Sequence, residues 1–273
     1  MTILTQWVLG AILAAILLKL LVLWLQPRMA FYAVPGPTPA PPPFSSFEVT
    51  TADGVKISGW TTPLAGQSPV LVYFCGNAGN LADRTELLTS VAAGSCEIVA
   101  FNYRGAGESQ GRPSEIGVYR DADAVYDYLT RDRGVSPDRL VFWGHSIGGA
   151  VATELATRKP CAGLVLESTF RSARVMARRM MPLLPVGLLL SYRFDNEGNI
   201  ARIRYPILFI HGTQDDMIPK ADSEYLYALS KSVKELWLVD GAGHNDIHDT
   251  ARDEFRTRLC SFAARAAGNP ANH

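Results

Sequence analysis

Ser146, the adjacent pair Asp215 and Asp216, and His244 are residues that can do acyl-transfer chemistry if the fold brings them together. A serine hydroxyl is a weak nucleophile at neutral pH and needs a histidine base, itself held in one tautomer by a carboxylate. Ser146 lies in Gly144-His-Ser-Ile-Gly-Gly149, after the apolar run Leu140–Trp143 and before the helix-like stretch Ala150–Ala156. Strand, tight turn and helix in that order form a nucleophile elbow, which lifts one serine above the edge of a sheet. Gly144 and Gly148 suit it, because the turn leaves no room for a Cβ beside the serine or where the helix packs back on the strand.

The acid and the base are expected after the serine, at strand ends. His211-Gly-Thr-Gln-Asp-Asp216 directly follows the apolar run Ile207–Ile210, which places Asp215 or Asp216 in a loop at the carboxyl edge of a sheet. Gly241-Ala-Gly-His244 follows the last such run, Leu236–Val239. Either aspartate alone also suits a plain turn cap before Pro219. The other histidines are weaker candidates: His145 points off the elbow, His211 belongs to a strand end, and His248 and His273 follow no strand. His244 and His248 are four apart, but no third ligand is spaced to complete a metal site, and no cofactor motif is present.

Acyl transfer also needs two donors for the developing oxyanion. The Ile147 N–H, directly after the serine, is one; the Asn77 N–H, in the glycine-rich loop Cys75-Gly-Asn-Ala-Gly-Asn80 after the run Val70–Phe74, is the other. A phosphate cradle is the usual rival for such a loop, but no Lys-Ser or Lys-Thr follows to make one.

Short, continuously apolar runs are expected to form the strands that hold these groups: Val70–Phe74, Ile98–Tyr103, Leu140–Trp143, Leu164–Leu166, Ile207–Ile210 and Leu236–Val239. Helical patterns alternate with them at Leu81–Ala93, Glu115–Thr130, Ile147–Thr157, Ala221–Ser230 and Asp246–Ala266. The alternation predicts an α/β fold with a mostly parallel, doubly wound sheet whose site lies at the carboxyl ends of its strands. Phe47–Thr51 and Val55–Thr61, around Ala52-Asp-Gly54, read as a leading hairpin. Residues 169–205 break the rhythm with Arg171, Arg174, Arg178, Arg179 and an apolar stretch, and are expected to form either a small lid over the site, suited to lipid headgroups or an acyl chain, or an ordinary surface helix with one buried face.

Lysine plus arginine equals aspartate plus glutamate, 26 each among 273 residues, so no net field favours nucleic acid. The four cysteines show neither disulfide nor zinc spacing. Ile3–Leu25 is almost wholly apolar, and about 23 residues of helix span roughly 34 Å, enough to cross a bilayer core. A cleaved signal peptide is the rival, but the segment lacks a basic n-region and an Ala-x-Ala site. The organisation expected is therefore a transmembrane anchor over 1–26, a Pro-rich semi-rigid linker over 27–43 and a catalytic domain over 44–273. Lys19 and Arg28, towards and beyond the end of the span, lean towards a cytoplasmic domain.

Five motifs in order, Cys75–Asn80, Asn102-Tyr-Arg-Gly-Ala-Gly-Glu-Ser109, Gly144–Gly149, His211–Asp215 and Gly243-His-Asn-Asp246, resemble those of the α/β-hydrolase superfamily, and within it the Bem46-like branch of membrane-anchored serine hydrolases. The resemblance covers about residues 44–266. It implies Ser146 as nucleophile, Asp215 rather than Asp216 as acid, His244 as base, and Asn77 with Ile147 as oxyanion donors. It implies an esterase or thioesterase acting on a small-molecule or acyl-chain substrate, without cofactor or metal; a serine peptidase or a non-catalytic scaffold on the same fold are the alternatives. The Phe194-Asp195 pair also matches that branch. One departure stands out: Cys75 occupies a position where the family usually has histidine, which leaves the packing of the oxyanion loop in question and raises a second nucleophile as an alternative.

Overall fold

The computed structural model describes residues 2–64, 66–182 and 189–268. Eight strands form one sheet. In chain order they are β2 (Ser45–Thr50), β3 (Lys56–Thr61), β4 (Val70–Phe74), β6 (Glu97–Phe101), β7 (Leu140–His145), β8 (Gly163–Glu167), β9 (Ile207–Gly212) and β10 (Lys234–Val239). Their spatial order is β10-β9-β8-β7-β4-β6-β3-β2. The hairpin β2-β3 is antiparallel and β3 joins β6 antiparallel; every other neighbour pair is parallel. The parallel strands β4, β7, β8 and β9 are buried along their whole length, which is why each reads as an unbroken apolar run.

Register sets the level of the site. Phe74 lies opposite Gly144, His145 opposite Glu167, and Glu167 opposite Ile210. The chain therefore leaves β4, β7, β8 and β9 at one common edge, where the loops bearing Asn77, Ser146 and Asp215 begin. Helix α4 (Ile147–Ala156) packs back on β7, the strand that precedes it.

Three sequence expectations differ in detail. The C-terminal helical pattern is two helices, Ile247–Ala251 and Asp253–Ala267, parted at Arg252 with φ 47°. The pattern from Leu81 opens as a 3-10 turn, Leu81–Arg84, before helix Thr85–Ala92. Within the expected lid, helices Ala173–Met180 and Asn196–Ile200 are present, while residues 183–188 lie outside the described residues.

The N-terminal helix α1 spans Ile3–Ala30, passing through Pro27, and is long and apolar enough to cross a bilayer. Gln26 is its one buried residue. The proline-rich stretch after it is docked on the domain, not held free as a spacer. Tyr32–Ala33 (β1) pairs in parallel with Ala78–Gly79 (β5), Pro35 bridges to Gly107, and the Trp60 indole N–H donates to Thr38 O at 2.9 Å. Prolines favour an extended backbone, and an extended backbone with free amides at its non-proline positions can also pair with a loop edge.

Candidate active site

Ser146 directly follows β7 and caps α4 with φ 56° and ψ −120°, a conformation costly for a residue with a Cβ and seen where the surroundings over-determine it. Here they do. The Ser146 N–H donates to Glu167 O at 2.8 Å, and its carbonyl accepts from Gly149 N–H at 3.0 Å and from the Thr169 hydroxyl at 2.7 Å. Thr169 Oγ1 in turn accepts from the Asn196 amide at 3.0 Å. The glycines read from the sequence are required by contact: a Cβ on Gly144 would stand 2.4 Å from Gly148 O, and one on Gly148 only 2.1 Å from Phe74 O.

Asp215 and His244 meet at the same edge. Asp215 Oδ2 accepts from His244 Nδ1 at 2.7 Å, and the carboxylate is wholly screened from solvent. Its other oxygen accepts the Met217 and Ile218 amides at 3.0 and 2.7 Å. Burial alone would raise this carboxyl, but hydrogen bonds from His211, His244 and the Ile218 amide outweigh it and hold the group well below the usual carboxylate range. Asp216 is exposed and makes no such contact, so the structure brings Asp215, not its neighbour, to the histidine.

Of the two expected oxyanion donors, Ile147 is the first residue of α4, where N–H groups have no intrahelical acceptor. Asn77 lies half-buried in the loop after β4. Cys75, at the start of that loop, is buried; its thiol donates to Phe101 O at 3.5 Å, and burial pushes it up to about 12. Its burial, its hydrogen bond and its raised thiol all argue against a role as a second nucleophile. Among the described residues no cluster of three or more His, Cys, Asp or Glu side chains is placed to hold a metal ion.

Three further groups belong to this site that the sequence did not point to. His145 reaches from the elbow to His244, its Nε2 donating to the His244 backbone carbonyl at 3.1 Å, with ring centroids 5.1 Å apart. His211 contacts Asp215 Oδ2 through Nε2 at 3.2 Å, and the same nitrogen lies 2.8 Å from Ile218 O while Nδ1 meets the Ser223 hydroxyl at 2.7 Å. Glu167, at the end of β8, is buried and accepts the Trp143 indole N–H at 2.7 Å; burial raises its carboxyl. A histidine inside the elbow and a lone glutamate closing an apolar strand were the available signals.

Comparison with known proteins bears on the family and the fold. A model of the alpha/beta hydrolase family matches residues 73–197. An uncharacterized Mycobacterium tuberculosis protein is 36% identical over 227 residues, covering 81% of each chain. YfhR of Escherichia coli K12 is 34% identical over 264 residues, 91% of this chain and 92% of its own. The Arabidopsis thaliana alpha/beta hydrolase domain-containing protein WAV2 is 32% identical over 196 residues, 65% of this chain and 64% of its own. Among solved structures, a Pyrococcus furiosus esterase superposes with a TM-score of 0.70 at 22% identity, over 82% of this chain and 93% of its own.

Proposed function

The chain belongs to the α/β-hydrolase family, and from that premise we propose that it is a serine hydrolase cleaving carboxylic esters or thioesters through Ser146, His244 and Asp215. The observation that carries the reading is the buried Asp215–His244 pair standing at the same sheet edge as a serine held at positive φ. His244 takes the Ser146 proton as Oγ attacks the acyl carbon, and Asp215 holds the imidazole and stabilises its cation. The Asn77 and Ile147 N–H groups receive the developing oxyanion. Collapse expels the alcohol or thiol with the proton returned by His244. Water, deprotonated by the same histidine, then attacks the acyl-enzyme and frees the acid and Ser146.

The ester reading is supported by the likeness to the Pyrococcus furiosus esterase, and the apolar N-terminal helix supports an acyl-chain substrate drawn from a membrane. In this reading α1 is a single-pass anchor, the described parts of 169–205 belong to a lid, and the catalytic domain faces the cytoplasm. A reporter fused to the C terminus tests the last point.

A fluorophosphonate probe should label the wild type and fail to label Ser146→Ala; labelling that persists in the variant overturns the assignment. p-Nitrophenyl esters of graded chain length, set against short peptide amides, separate an esterase from a peptidase. Turnover of neither set points to a scaffold.

A further inference from the structure

We infer that residues 31–36, the strap by which the chain leaves the N-terminal helix, are a positioning element of the oxyanion loop. The inference rests on the reading of Asn77 as an oxyanion donor. The Tyr32 N–H donates to Asn77 O at 2.8 Å and the Val34 N–H to Gly79 O at 3.3 Å, so the strap binds two carbonyls of the loop that carries the donor. Val34 O accepts the Asn80 side-chain amide at 3.1 Å and the Gly107 N–H at 2.9 Å, while the Gly36 N–H donates to Gly107 O at 2.9 Å.

The strap acts through its backbone. Tyr32 and Val34 are 59% and 51% exposed, so their side chains add little to the contact. The strap is itself firmly seated. Phe31 is buried, with its ring edge-on to Tyr192 and Phe194 at centroid distances of 6.3 and 6.0 Å. One helical turn earlier, Gln26 donates to Ser191 Oγ at 2.7 Å and accepts the Ser191 N–H at 2.8 Å.

The loop needs such a brace. Gly76 and Gly79 flank Asn77 and Ala78, Gly79 takes φ +76°, and glycine leaves a backbone many accessible conformations. An oxyanion donor contributes only if its N–H is already aimed when charge develops. With Asn77 O and Gly79 O tied to the strap, the peptide that follows Asn77 is held in place, and the Asn77 N–H is joined to it through a single Cα, so turning that N–H away strains the bond to the strap. The segment that tethers the domain thereby also holds the catalytic loop in one conformation.

Full-length protein in detergent micelles provides the test. Tyr32→Pro removes the N–H that reaches Asn77 O, and Phe31, at φ −134° and ψ 122°, already has the extended backbone that precedes a proline. Tyr32→Ala keeps the N–H. On p-nitrophenyl butyrate, Tyr32→Pro should lower kcat about tenfold with KM within about twofold, and slow fluorophosphonate labelling by about the same factor. Tyr32→Ala should stay within about twofold of wild type in both, so that the loss follows the N–H and not the side chain. Equal rates for Tyr32→Pro and wild type, or an equal loss in Tyr32→Ala, overturn the inference. If Tyr32→Pro has no melting transition, Val34→Pro against Val34→Ala makes the same comparison at the second bond. Hydrolysis and labelling that survive Ser146→Ala overturn the hydrolase reading and this inference with it; activity that needs Ser146 yet ignores both prolines overturns the strap alone.

Discussion

The His145 ring nitrogen Nε2 donates to the backbone carbonyl of His244 across 3.1 Å, so the residue beside the proposed nucleophile fixes the loop that carries the proposed base. The bond joins positions 99 apart in sequence and spans the gap between the ends of β7 and β10. Its opposite face is closed as well: a Cβ on Gly76 would stand 2.9 Å from His145 Nδ1. Replacing His145 by alanine frees the His244 loop and leaves a buried carbonyl unpaired, at a cost of about 1–3 kcal/mol. We expect His145→Ala to lower kcat about tenfold. His145→Gln, which can still donate, should recover most of that loss. Steady-state kinetics and urea unfolding of the two variants check this; equal losses in both would show that the ring, not the hydrogen bond, is what matters.

The same histidine should leave a mark on acid stability. Burial, then the neighbouring His244 and Arg84 charges, lowers His145 from its ordinary 6.5 to about 3. Between those values the unfolded chain binds a proton that the folded protein refuses. Its contribution to stability is therefore intact above pH 6.5 and is lost progressively as the pH falls towards 3. Asp121 works the other way, since burial pushes its carboxyl up to about 6 and the folded state keeps a proton there that the unfolded chain releases. Asp121 is common to wild type and variant, so their difference isolates His145. Near pH 5, His145→Gln should flatten the dependence of unfolding free energy on pH by about 1.4 kcal/mol per pH unit. Denaturant midpoints across pH 4–7 measure it, and parallel curves for the two proteins would contradict the neutral assignment.

Asp215 and Asp216 are adjacent in sequence and opposite in environment. The Asp215 carboxylate receives two imidazoles and two backbone amides out of reach of solvent, whereas Asp216 is exposed. Asp215→Asn leaves nothing to hold His244 in the acceptor tautomer, and kcat should fall by roughly four orders of magnitude, as happens when a triad carboxylate is neutralised. Asp216→Asn should stay within about twofold of wild type, because a solvated side chain away from the imidazole has little differential effect on the transition state. An Asp216→Asn enzyme as impaired as Asp215→Asn would sink the assignment.

Why this pair was ambiguous in the sequence, while Ser146 was not, has a physical basis. Ser146 is specified by its own neighbours: an apolar strand before it, glycines where a Cβ meets Phe74 O or Gly148 O, and a helix after it. Strand ends are nearly as local, since β4, β7 and β9 are buried on both faces: β4 ends with its apolar run, and β7 and β9 carry on only two residues beyond theirs. Which of two aspartates turns inward depends on the path of the loop, set by the Met217 and Ile218 amides. His145 and the strap at Tyr32 were missed because their partners, His244 and Asn77, are remote, and no periodicity records a contact across the fold. The break at Arg252 escaped for a related reason: neither Gly nor Pro marks it, and the helical pattern runs on through a residue at φ 47°.

Cys75 offers a last and separate test, because it sits in the loop of the proposed oxyanion donor Asn77 yet carries none of the proposed chemistry. A thiolate is the reactive form of cysteine, and a thiol pushed up to about 12 by burial is almost wholly protonated at neutral pH. Its hydrogen bond to Phe101 O and its low exposure further limit attack by an external reagent. Iodoacetamide at pH 7.5 should therefore leave esterase activity intact, with peptide mapping showing Cys75 unmodified. Cys75→Ala removes the sulfur and leaves a small void beside Phe101, costing about 1 kcal/mol in unfolding free energy. The backbone N–H of Asn77 is untouched, so kcat should remain within about twofold. Inactivation by iodoacetamide that tracks alkylation of Cys75, or a Cys75→Ala enzyme with kcat reduced a hundredfold, would show that the thiol takes part in the reaction after all.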